Sequence, residues 1–440
     1  MITAFRTIPE DGYSLGNRPG TDMIVEDTLP NGLKLVTESM AGARSVAVGV
    51  WLKRGSRHEA EKVSGISHFI EHMVFKGTKT RSAERIAAEV DSIGGYMDAF
   101  TSKEYASFHL KVLDEHLPLA VEILADIVRN PLFDPEEMAK EKKVIFEEIN
   151  MVEDTPDDLV MELFTGAFWP DHPLGRPILG TKGTVGRFQR EDLASYFARV
   201  YHPANILIAA AGHLEHASVA ALVGRHFADL RRGATPRNGR APLAVTRTVT
   251  RSKKELEQVH LCLGARACPQ THPDRYATYV LNTVLGGSMS SRLFQNVREK
   301  RGLVYTISSG VTSYSDAGIL SVYAATGLES VSEVVRLTLE EIRRLRGEPL
   351  GAEELRRAKD HIEGGLVLSL ESSGARMNHL ARQQIYFGRQ LPLEEILEAI
   401  EEVSAADVLR VAGDVFDGRL GASVLGPLRG WRPREKDLSV

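Results

Sequence analysis

The sequence predicts an α+β protein made of two homologous α/β-sandwich domains, each a mixed, mainly antiparallel sheet packed on helices. Three observations support this fold class: the chain length, a linker near the middle, and the order of elements on either side of it. The 440 residues are too many for one ordinary core and enough for two domains of about 200 residues each. The composition, 43% hydrophobic and 26% charged, is typical of soluble globular proteins.

The predicted linker is the stretch RRGATPRNGRAPLAV (231–245), which is rich in Gly, Pro and Arg and has no apolar period. It separates a first domain, residues 1–230, from a second domain, residues 246–440. Residues 1–22 are expected to form a loose tail of the first domain. They contain no basic segment followed by an apolar one, as a secretion signal does, and they are not Arg-rich or free of acids, as a transit peptide is.

In both halves the order of apolar runs is similar, which indicates an internal duplication. An offset of about 213 residues aligns VEILADIV in the first half with VVRLTLEEI in the second. The first half is expected to contain a strand (45–52), a helix carrying HFIEH, a second helix (83–93), a strand (107–113) and a third helix (117–128), in that order. The corresponding runs of the second half are 257–265, 279–287, 290–305, 318–325 and 331–345.

Charge and cysteine content exclude several classes of function. The net charge of −5 gives no basic footprint for nucleic acid, and no apolar run approaches the roughly 18 residues needed to cross a membrane. The chain has two cysteines, Cys262 and Cys268, which are expected to be small buried residues of a strand. Without a disulfide framework, a cytoplasmic location is predicted.

The motif HFIEH is the first candidate for chemistry. In a helix, His68 and His72 lie one turn apart on the same side, with Glu71 beside them. Ser64 is expected to cap this helix and Gly77 to end it. Two neutral imidazoles suit Zn²⁺, which in a catalytic site takes three protein ligands and leaves one position open. Since the pattern can also arise by chance among 14 histidines, a third ligand is required.

A second helix is predicted over FDPEEMAKEKKVIFEEINM (133–151). Asp134 is expected to cap its start and Pro135 to occupy its first turn. The acidic stretch VEDTPDD (152–158) that follows is expected to be a solvated loop, although its charge could also attract basic peptides.

Three glutamates of this second helix are candidate ligands. Glu141 and Glu148, seven residues apart, share an apolar stripe with Val144 and Ile145, whereas Glu147 faces the polar side. A carboxylate on an apolar stripe is unfavourable unless it is paired or bound to a metal. The pattern therefore favours Glu148 and Glu141 for a functional role and a solvated surface position for Glu147.

These motifs together resemble the inverted-motif zinc peptidases of the pitrilysin/insulinase family, and in particular the branch that contains the mitochondrial processing peptidase β subunit and its bacterial relatives. The resemblance extends over about residues 23–425. Beyond HFIEH and EKKVIFEEINM, it includes GSRHE (55–59), FKGTKTR (75–81), SIGGYMDAFTSKEY (92–105) and REKRGLVY (298–305).

The resemblance implies a zinc-dependent metalloendopeptidase that acts on peptides or unfolded segments in an enclosed chamber, in the manner of a processing peptidase. It implies one zinc ion per chain, with His68, His72 and Glu148 as ligands. Glu71 matches the general base, which takes a proton from the attacking water. Glu141 matches a second carboxylate that supports the site.

The second half has LNTVLGGSMSSRLF where the first has HFIEH, so it cannot bind zinc in the same way. Its Arg298 and Tyr305 resemble the family's substrate-side pair, which holds peptide carbonyls and stabilises the developing oxyanion. A family chain of this length resembles half of the long insulin-degrading type. This implies a homodimer in which Arg298 and Tyr305 reach the partner's zinc.

One position departs from the family pattern, because Asp98 stands where Asn is common after the Gly-Gly turn. The strand around Asp98 resembles the edge strand to which substrate adds as a further strand, so main-chain pairing is expected to persist. The Asp98 side chain, however, can only accept hydrogen bonds.

The alternative function is a non-catalytic structural subunit like the core proteins of respiratory complexes, relatives that typically lose parts of the metal motif.

Overall fold

The computed structural model describes residues 23–233 and 239–440. Within these ranges the chain forms two β-sheets, each packed against helices through its own hydrophobic core. The predicted tail, residues 1–22, lies outside the described residues, as do residues 234–238 of the predicted linker. The proposed domain boundaries therefore stay predictions.

The first sheet is built by the first half of the chain. Its strands are β1 (Ile24–Thr28), β2 (Lys34–Ser39), β3 (Ser45–Leu52), β4 (Tyr96–Thr101), β5 (Ala106–Leu113) and β6 (Ile206–Gly212). Within the described residues they lie in the order β1-β2-β6-β3-β5-β4, and the pairing is antiparallel except between β2 and β6. The apolar runs of β3 and β6 are buried at the centre, whereas β4 lies at an edge.

The first half of the chain also forms helices. They are α1 (Ile66–Val74), α2 (Ala83–Ser92), α3 (Leu117–Arg129), α4 (Pro135–Asp154), α5 (Pro156–Phe168), α6 (Lys182–Arg187), α7 (Arg190–Val200) and α8 (His216–Phe227). The elements predicted as β3, α2, β5 and α3 agree with the structure to within one residue at each end. The predicted solvated loop at 152–158 is wrong, because α4 continues to Asp154 and α5 begins at Pro156, so two helices meet at Thr155.

The second sheet is built by the second half. Its strands are β7 (Thr248–Ser252), β8 (Val259–Ala267), β9 (Val304–Ser313), β10 (Gly318–Thr326) and β11 (Gly421–Gly426). In the described residues their order is β7-β11-β8-β10-β9, with one parallel pair, β7 and β11. The accompanying helices are α9 (Arg275–Asn282), α10 (Val331–Gly347), α11 (Ala352–Ser369), α12 (Ser373–Tyr386), α13 (Leu393–Glu401) and α14 (Ala405–Val415). None of the helices in the described ranges combines the length and apolar character that crossing a bilayer requires.

The two sheets have the same topology once β1 is set aside. In each, the first strand pairs in parallel with the last strand of the half, and the next strand leads to an edge hairpin, β4 and β5 or β9 and β10. The predicted fold of two homologous α+β units is therefore confirmed. Cys262 is buried in β8 as predicted, whereas Cys268 lies just beyond the end of the strand and is only half-buried.

Each half also contributes a helix to the other half's sheet. Met377 and Leu380 of α12 pack with Trp51 on the outer face of the first sheet. In the opposite direction, α5 packs on the second sheet so closely that a Cβ atom at Gly264 would lie 2.5 Å from the Phe164 ring. The two halves are therefore interlocked by packing as well as joined by the chain.

A buried ionic network adds to this interlocking. Arg57 donates to the Glu104 carboxylate of the first half at 2.6 Å and to both carboxylate oxygens of Asp316 in the second half at 2.9 Å. The N–H of Ser315 donates to the same Glu104 at 2.9 Å. Because a buried guanidinium is stable only when its donors are satisfied, this network fixes the relative position of the two halves.

Candidate metal centre

Helix α1 presents the HFIEH motif, and its start is stabilised by a buried carboxylate. Glu59 accepts hydrogen bonds from the backbone N–H groups of Gly65 at 2.7 Å and Ser67 at 2.8 Å. The prediction that Ser64 caps this helix is wrong, because Gly65 occupies the cap position with a φ of 95° and Glu59 satisfies the free N–H groups. Burial raises the pKa of Glu59 to about 7, against the effect of these hydrogen bonds.

Helix α4 lies against α1 and begins as predicted, because Asp134 accepts from the N–H groups of Glu136 and Glu137. Its inward side carries Glu141 and Ile145, both buried. The predicted stripe is wrong at Val144, which is 43% exposed because it lies at the margin of the face that meets α1.

Three predicted ligands come together between these helices. One ligand atom each of His68, His72 and Glu148 lies within 4.8 Å of the others. The Glu148 carboxylate stands 3.6 Å from His68 Nε2 and 3.5 Å from His72 Nε2, which is too far for good hydrogen bonds. Among the described residues, Glu148 Oε2 is buried without a hydrogen-bond partner. Two imidazole nitrogens and a carboxylate around a gap fit Zn²⁺.

The protonation states of His68 and Glu148 also suit a metal. The pKa of His72 is raised, against the effect of burial, because Glu148 and Glu141 lie beside its imidazole. Burial, together with the neighbouring His72, lowers the pKa of His68 to about 4, so its imidazole is neutral near pH 7. The contact with His72 lowers the pKa of Glu148 below its usual range. Neutral imidazole and ionised carboxylate are the forms that coordinate a cation.

Glu141 supports His72 from behind. Its carboxylate lies 2.9 Å from His72 Nδ1, which fixes the ring so that Nε2 faces Glu148. The other Glu141 oxygen pairs with Lys76 Nζ at 2.8 Å. The buried carboxylate is thus held between the imidazole and an ammonium group.

Glu71 lies beside the metal group but is not part of it. Thr101 of β4 donates a hydrogen bond from its hydroxyl to Glu71 Oε2. Burial raises the pKa of Glu71 to about 7, and the Thr101 hydrogen bond opposes this shift. A carboxyl group with a pKa near neutrality is suited to exchanging protons at physiological pH.

The edge strand β4 passes directly beside this site. Within the described residues it pairs only with β5, so its other edge has free backbone groups. Asp98 of β4 lines a cavity of about 300 Å³ together with Glu71, His72 and Glu141. The exposed Asp98 carboxylate accepts from the N–H of Ala99 at 2.9 Å, so the acceptor expected from the sequence is present.

A second cavity, of about 570 Å³, opens on the other side of the metal group, between the two halves. His68 and Glu71 line it from the first half, and Thr312 and Tyr314 line it from the second. Lys103 also contributes, and burial lowers its pKa to about 8. The metal centre therefore lies in a cleft rather than inside either half.

Arg298 and Tyr305 lie apart from this centre in the same chain. Arg298 belongs to a π-helical turn, Phe294–Glu299, and donates from Nε to the backbone oxygen of Tyr305 at 2.9 Å. The Tyr305 side chain, at the start of β9, is 77% exposed. Neither residue lines the two cavities beside the metal group.

Comparisons with known proteins find similarity over most of the chain. Residues 34–182 match the family model described as insulinase (peptidase family M16), and residues 187–362 match the model described as the peptidase M16 inactive domain. The chain is 41% identical over 408 residues to the uncharacterized zinc protease YmxG of Bacillus subtilis, covering 92% of this chain and 98% of that protein. The chain belongs to the insulinase family of peptidases.

Further relatives support this membership, which the sequence motifs predicted. The insulinase-family chain is 40% identical over 404 residues to the uncharacterized zinc protease Rv2782c of Mycobacterium tuberculosis, covering 91% of this chain and 92% of that protein. The fold is similar to the crystal structure of a protease from Helicobacter pylori, with a TM-score of 0.85, 22% identity, and coverage of 92% of this chain and 100% of that chain. The predicted zinc agrees with the names of the two sequence relatives.

Sequence reasoning missed three residues of this insulinase-family site: Glu59, Lys76 and Thr101. Lys76 had a detectable signal, since it follows His68 and His72 at the same spacing of four residues. Thr101 lies within a motif that carried the family resemblance, yet its hydrogen bond to Glu71 depends on how β4 approaches α1. Glu59 lies before the helix that it caps, and a bend in the chain brings it back to the start of that helix. Hydrophobic periodicity does not predict such a bend.

Proposed function

We propose that this insulinase-family chain is a zinc-dependent metalloendopeptidase. The observation that carries the proposal is the convergence of His68, His72 and Glu148 on one gap, with Glu71 beside them and outside the ligand group. A structural ion site closes its coordination with protein atoms, whereas three ligands and a neighbouring base leave room for a reacting molecule.

In the proposed mechanism, His68, His72 and Glu148 would hold the zinc ion. When bound, zinc supplies a Lewis acid that polarises the peptide carbonyl and makes a water molecule more acidic. Thr101 orients the Glu71 carboxylate. This carboxylate takes a proton from the attacking water and passes it to the leaving amine. Glu141 keeps His72 in the orientation that Nε2 ligation needs.

The substrate in this proposal is a peptide or an unfolded segment, cleaved in an enclosed chamber in the manner of a processing peptidase. The free edge of β4 supports this substrate class, because an extended chain can pair with it as an additional strand. That pairing brings a peptide bond next to Glu71, which Thr101 ties to the same strand.

The test is to measure zinc content and hydrolysis in one preparation. We expect about one zinc ion per chain by metal analysis, and cleavage of an unfolded polypeptide that stops when the metal is removed and resumes when zinc is returned. A purified chain that binds no zinc and cleaves nothing would instead support the alternative, a non-catalytic subunit like the core proteins of respiratory complexes.

A finer part of the proposal concerns assembly. Arg298 and Tyr305 resemble the family's substrate-side pair, yet within one chain they line neither cavity beside the metal group. The exposure of the Tyr305 side chain leaves it available to a second molecule. The proposed active unit is a homodimer in which these two residues of one chain act at the partner's zinc.

Mixing two inactive variants tests this shared site. Homodimers of Glu71→Gln and of Arg298→Ala are each expected to cleave poorly, since losing one oxyanion donor costs roughly 10²-fold or more. After exchange, mixed dimers contain one complete site, and random pairing limits recovery to about a quarter of wild-type activity if the two sites act independently. Mixtures shown by mass spectrometry to have exchanged, yet no more active than their parents, would exclude the shared site.

A further inference from the structure

A cavity of about 390 Å³ lies in the second half, between α9, α11, α12 and α13. We call it the α12 cavity. Among the described residues, it shares no lining residue with either cavity beside the metal group. Its lining includes Arg275, Leu366, Asn378, Arg382, Phe387 and Ile396.

One face of α12 forms a wall of this cavity. Asn378, Arg382 and Tyr386 follow one another at intervals of four residues, so they lie on one side of the helix. The opposite side carries Met377 and Leu380, which are fully buried against the first sheet. Because that contact anchors α12, the backbone that carries these polar side chains is held in place beside the cavity.

Another part of the wall is apolar. Leu391, Ile396 and Ile400 form a buried cluster, and Leu366 of α11 and Phe387 pack against it. All five line the α12 cavity. An aliphatic or aromatic side chain entering here would therefore leave water for an apolar surface, which favours binding.

The charges of the lining are all of one sign. Arg275 and Arg382 line the cavity, and none of the lining residues is Asp or Glu. The Arg275 guanidinium lies over the rings of Tyr276, at 4.2 Å, and Phe387, at 5.2 Å. In the part of the chain that the structure describes, neither arginine forms an ion pair. The cavity is therefore complementary to an anion that also carries an apolar group.

An unsatisfied acceptor narrows the choice of anion. Asn378 Oδ1 is buried and, among the described residues, receives no hydrogen bond. It lies one helical turn from Arg382, so a ligand bound to both would need an N–H donor close to its negative charge. The last residue of a peptide has this arrangement, with an amide N–H one carbon atom away from a free carboxylate.

We infer that the α12 cavity binds the carboxyl-terminal residue of a peptide whose last side chain is apolar. The carboxylate lies against Arg382 and Arg275, and the peptide side chain enters the apolar part of the cavity. The Asn378 side chain turns toward the ligand, so that its buried Oδ1 accepts a hydrogen bond from the terminal amide N–H. This binding site is separate from the metal centre, so the inference does not depend on the proposed hydrolysis.

Calorimetric titration of the full-length protein with acetyl-Leu-Phe tests the inference. The free acid is expected to bind at least about tenfold more tightly than acetyl-Leu-Phe amide, because the amide removes the charge that the arginines recognise. Octanoate, which has the carboxylate and an apolar tail but no N–H, is expected to bind more weakly than the dipeptide. Octanoate binding as tightly as the dipeptide would overturn the assignment to a peptide end.

Two variants locate the binding. Arg382→Gln is expected to reduce the preference for the acid over the amide to about twofold or less, and Asn378→Asp to reduce it at least as much, since it adds a like charge. Arg357→Gln is the matched control, because Arg357 is an exposed arginine of α11 that pairs with Glu353 and does not line the cavity. Its preference should equal that of the wild type.

A carboxylate could instead bind a metal ion at the other site, and the same variants distinguish this outcome. An acid preference that persists unchanged in both Arg382→Gln and Asn378→Asp would show that the peptide binds elsewhere and would overturn the inference. The absence of any acid preference in the wild type would overturn it as well.

Discussion

The two halves of the molecule have the same sheet topology but different side chains at the position of the HFIEH motif. At the offset of about 213 residues that aligns them, His68, Glu71 and His72 of the first half correspond to positions 281, 284 and 285 of the second. These positions are occupied by Leu281, Val284 and Leu285, all buried. Where the first half has the regular helix α1, the second has the end of α9 followed by a π-helical turn, Thr283–Gly287.

This difference separates what the fold needs from what the site needs. The second half packs the position with apolar side chains and forms the same sheet order, so the metal group is not required for the architecture. In the first half, the polar groups at this position have hydrogen-bonding partners, which we call the supporting set. Glu59 accepts from the N–H groups at the helix start, Glu141 bonds His72, and Thr101 donates to Glu71. Buried polar groups are tolerated only when such partners are present.

The largest expected effect comes from Glu71, the one acid of the motif that lies outside the ligand group. Glu71→Gln should lower peptide hydrolysis by about 10³-fold, because it removes the proton acceptor, while about one zinc ion per chain remains bound. Metal analysis and an activity assay on the same sample measure both quantities.

Glu147→Gln is the matched control, since Glu147 is an exposed glutamate next to Glu148 and should be replaceable without loss. If Glu71→Gln loses its zinc, Glu71 belongs to the ligand set and the division between ligands and base is wrong. The first half would then differ from the second by four ligands rather than by three ligands and a base.

A smaller effect is expected on stability, from the buried carboxyl group at the start of α1. The pKa of Glu59 is about 7 in the folded chain against 4.5 for an unperturbed glutamate. The unfolded chain therefore releases this proton at lower pH than the folded chain does. The contribution of Glu59 to stability is greatest below pH 4.5 and declines by up to about 3 kcal/mol as the pH rises to 7.

Comparison with Glu59→Gln isolates this contribution, because the variant has no proton to release at this position. The difference in unfolding free energy between wild type and variant, measured in denaturant from pH 4.5 to 7.5, should shift against the wild type as pH rises. A difference that is constant across this range would mean that the two N–H groups hold Glu59 ionised throughout.

The smallest expected effect concerns the carboxylate behind His72. Glu141→Gln should weaken zinc binding by about 10 to 100-fold, because the amide cannot stabilise the imidazole and Lys76 as the carboxylate does. Competition with a chelator of known affinity measures the change. Glu136→Gln, at an exposed glutamate on the start of the same helix, is the control, and equal affinity in both variants would remove Glu141 from the supporting set.

The sequence was most informative where chemistry is repeated at a fixed spacing. Apolar periodicity located the main strands and helices, and the four-residue spacing of His68 and His72 indicated a metal site before any contact was known. The helix start at Asp134 was equally clear, because a capping acid followed by Pro135 is a local signal. These features depend on neighbours within about one or two helical turns.

The features that were missed depend on contacts between distant segments. Thr101 reaches Glu71 only because β4 crosses α1, and the exchange of α5 and α12 between the halves joins residues far apart in the chain. The acidic stretch 152–158 was misinterpreted for a related reason. Its charges indicated a loop. In the structure, two helices meet at Thr155, and their packing against both halves of the molecule determines this junction.

The free edge of β4 limits the shape of anything that reaches Glu71. Only a chain in extended conformation can pair with a strand edge, and a helix cannot. A folded protein would first have to open a segment of several residues, so its rate of cleavage should follow the free energy of that local opening. Selection among proteins would then be made by their stability before any side chain is recognised.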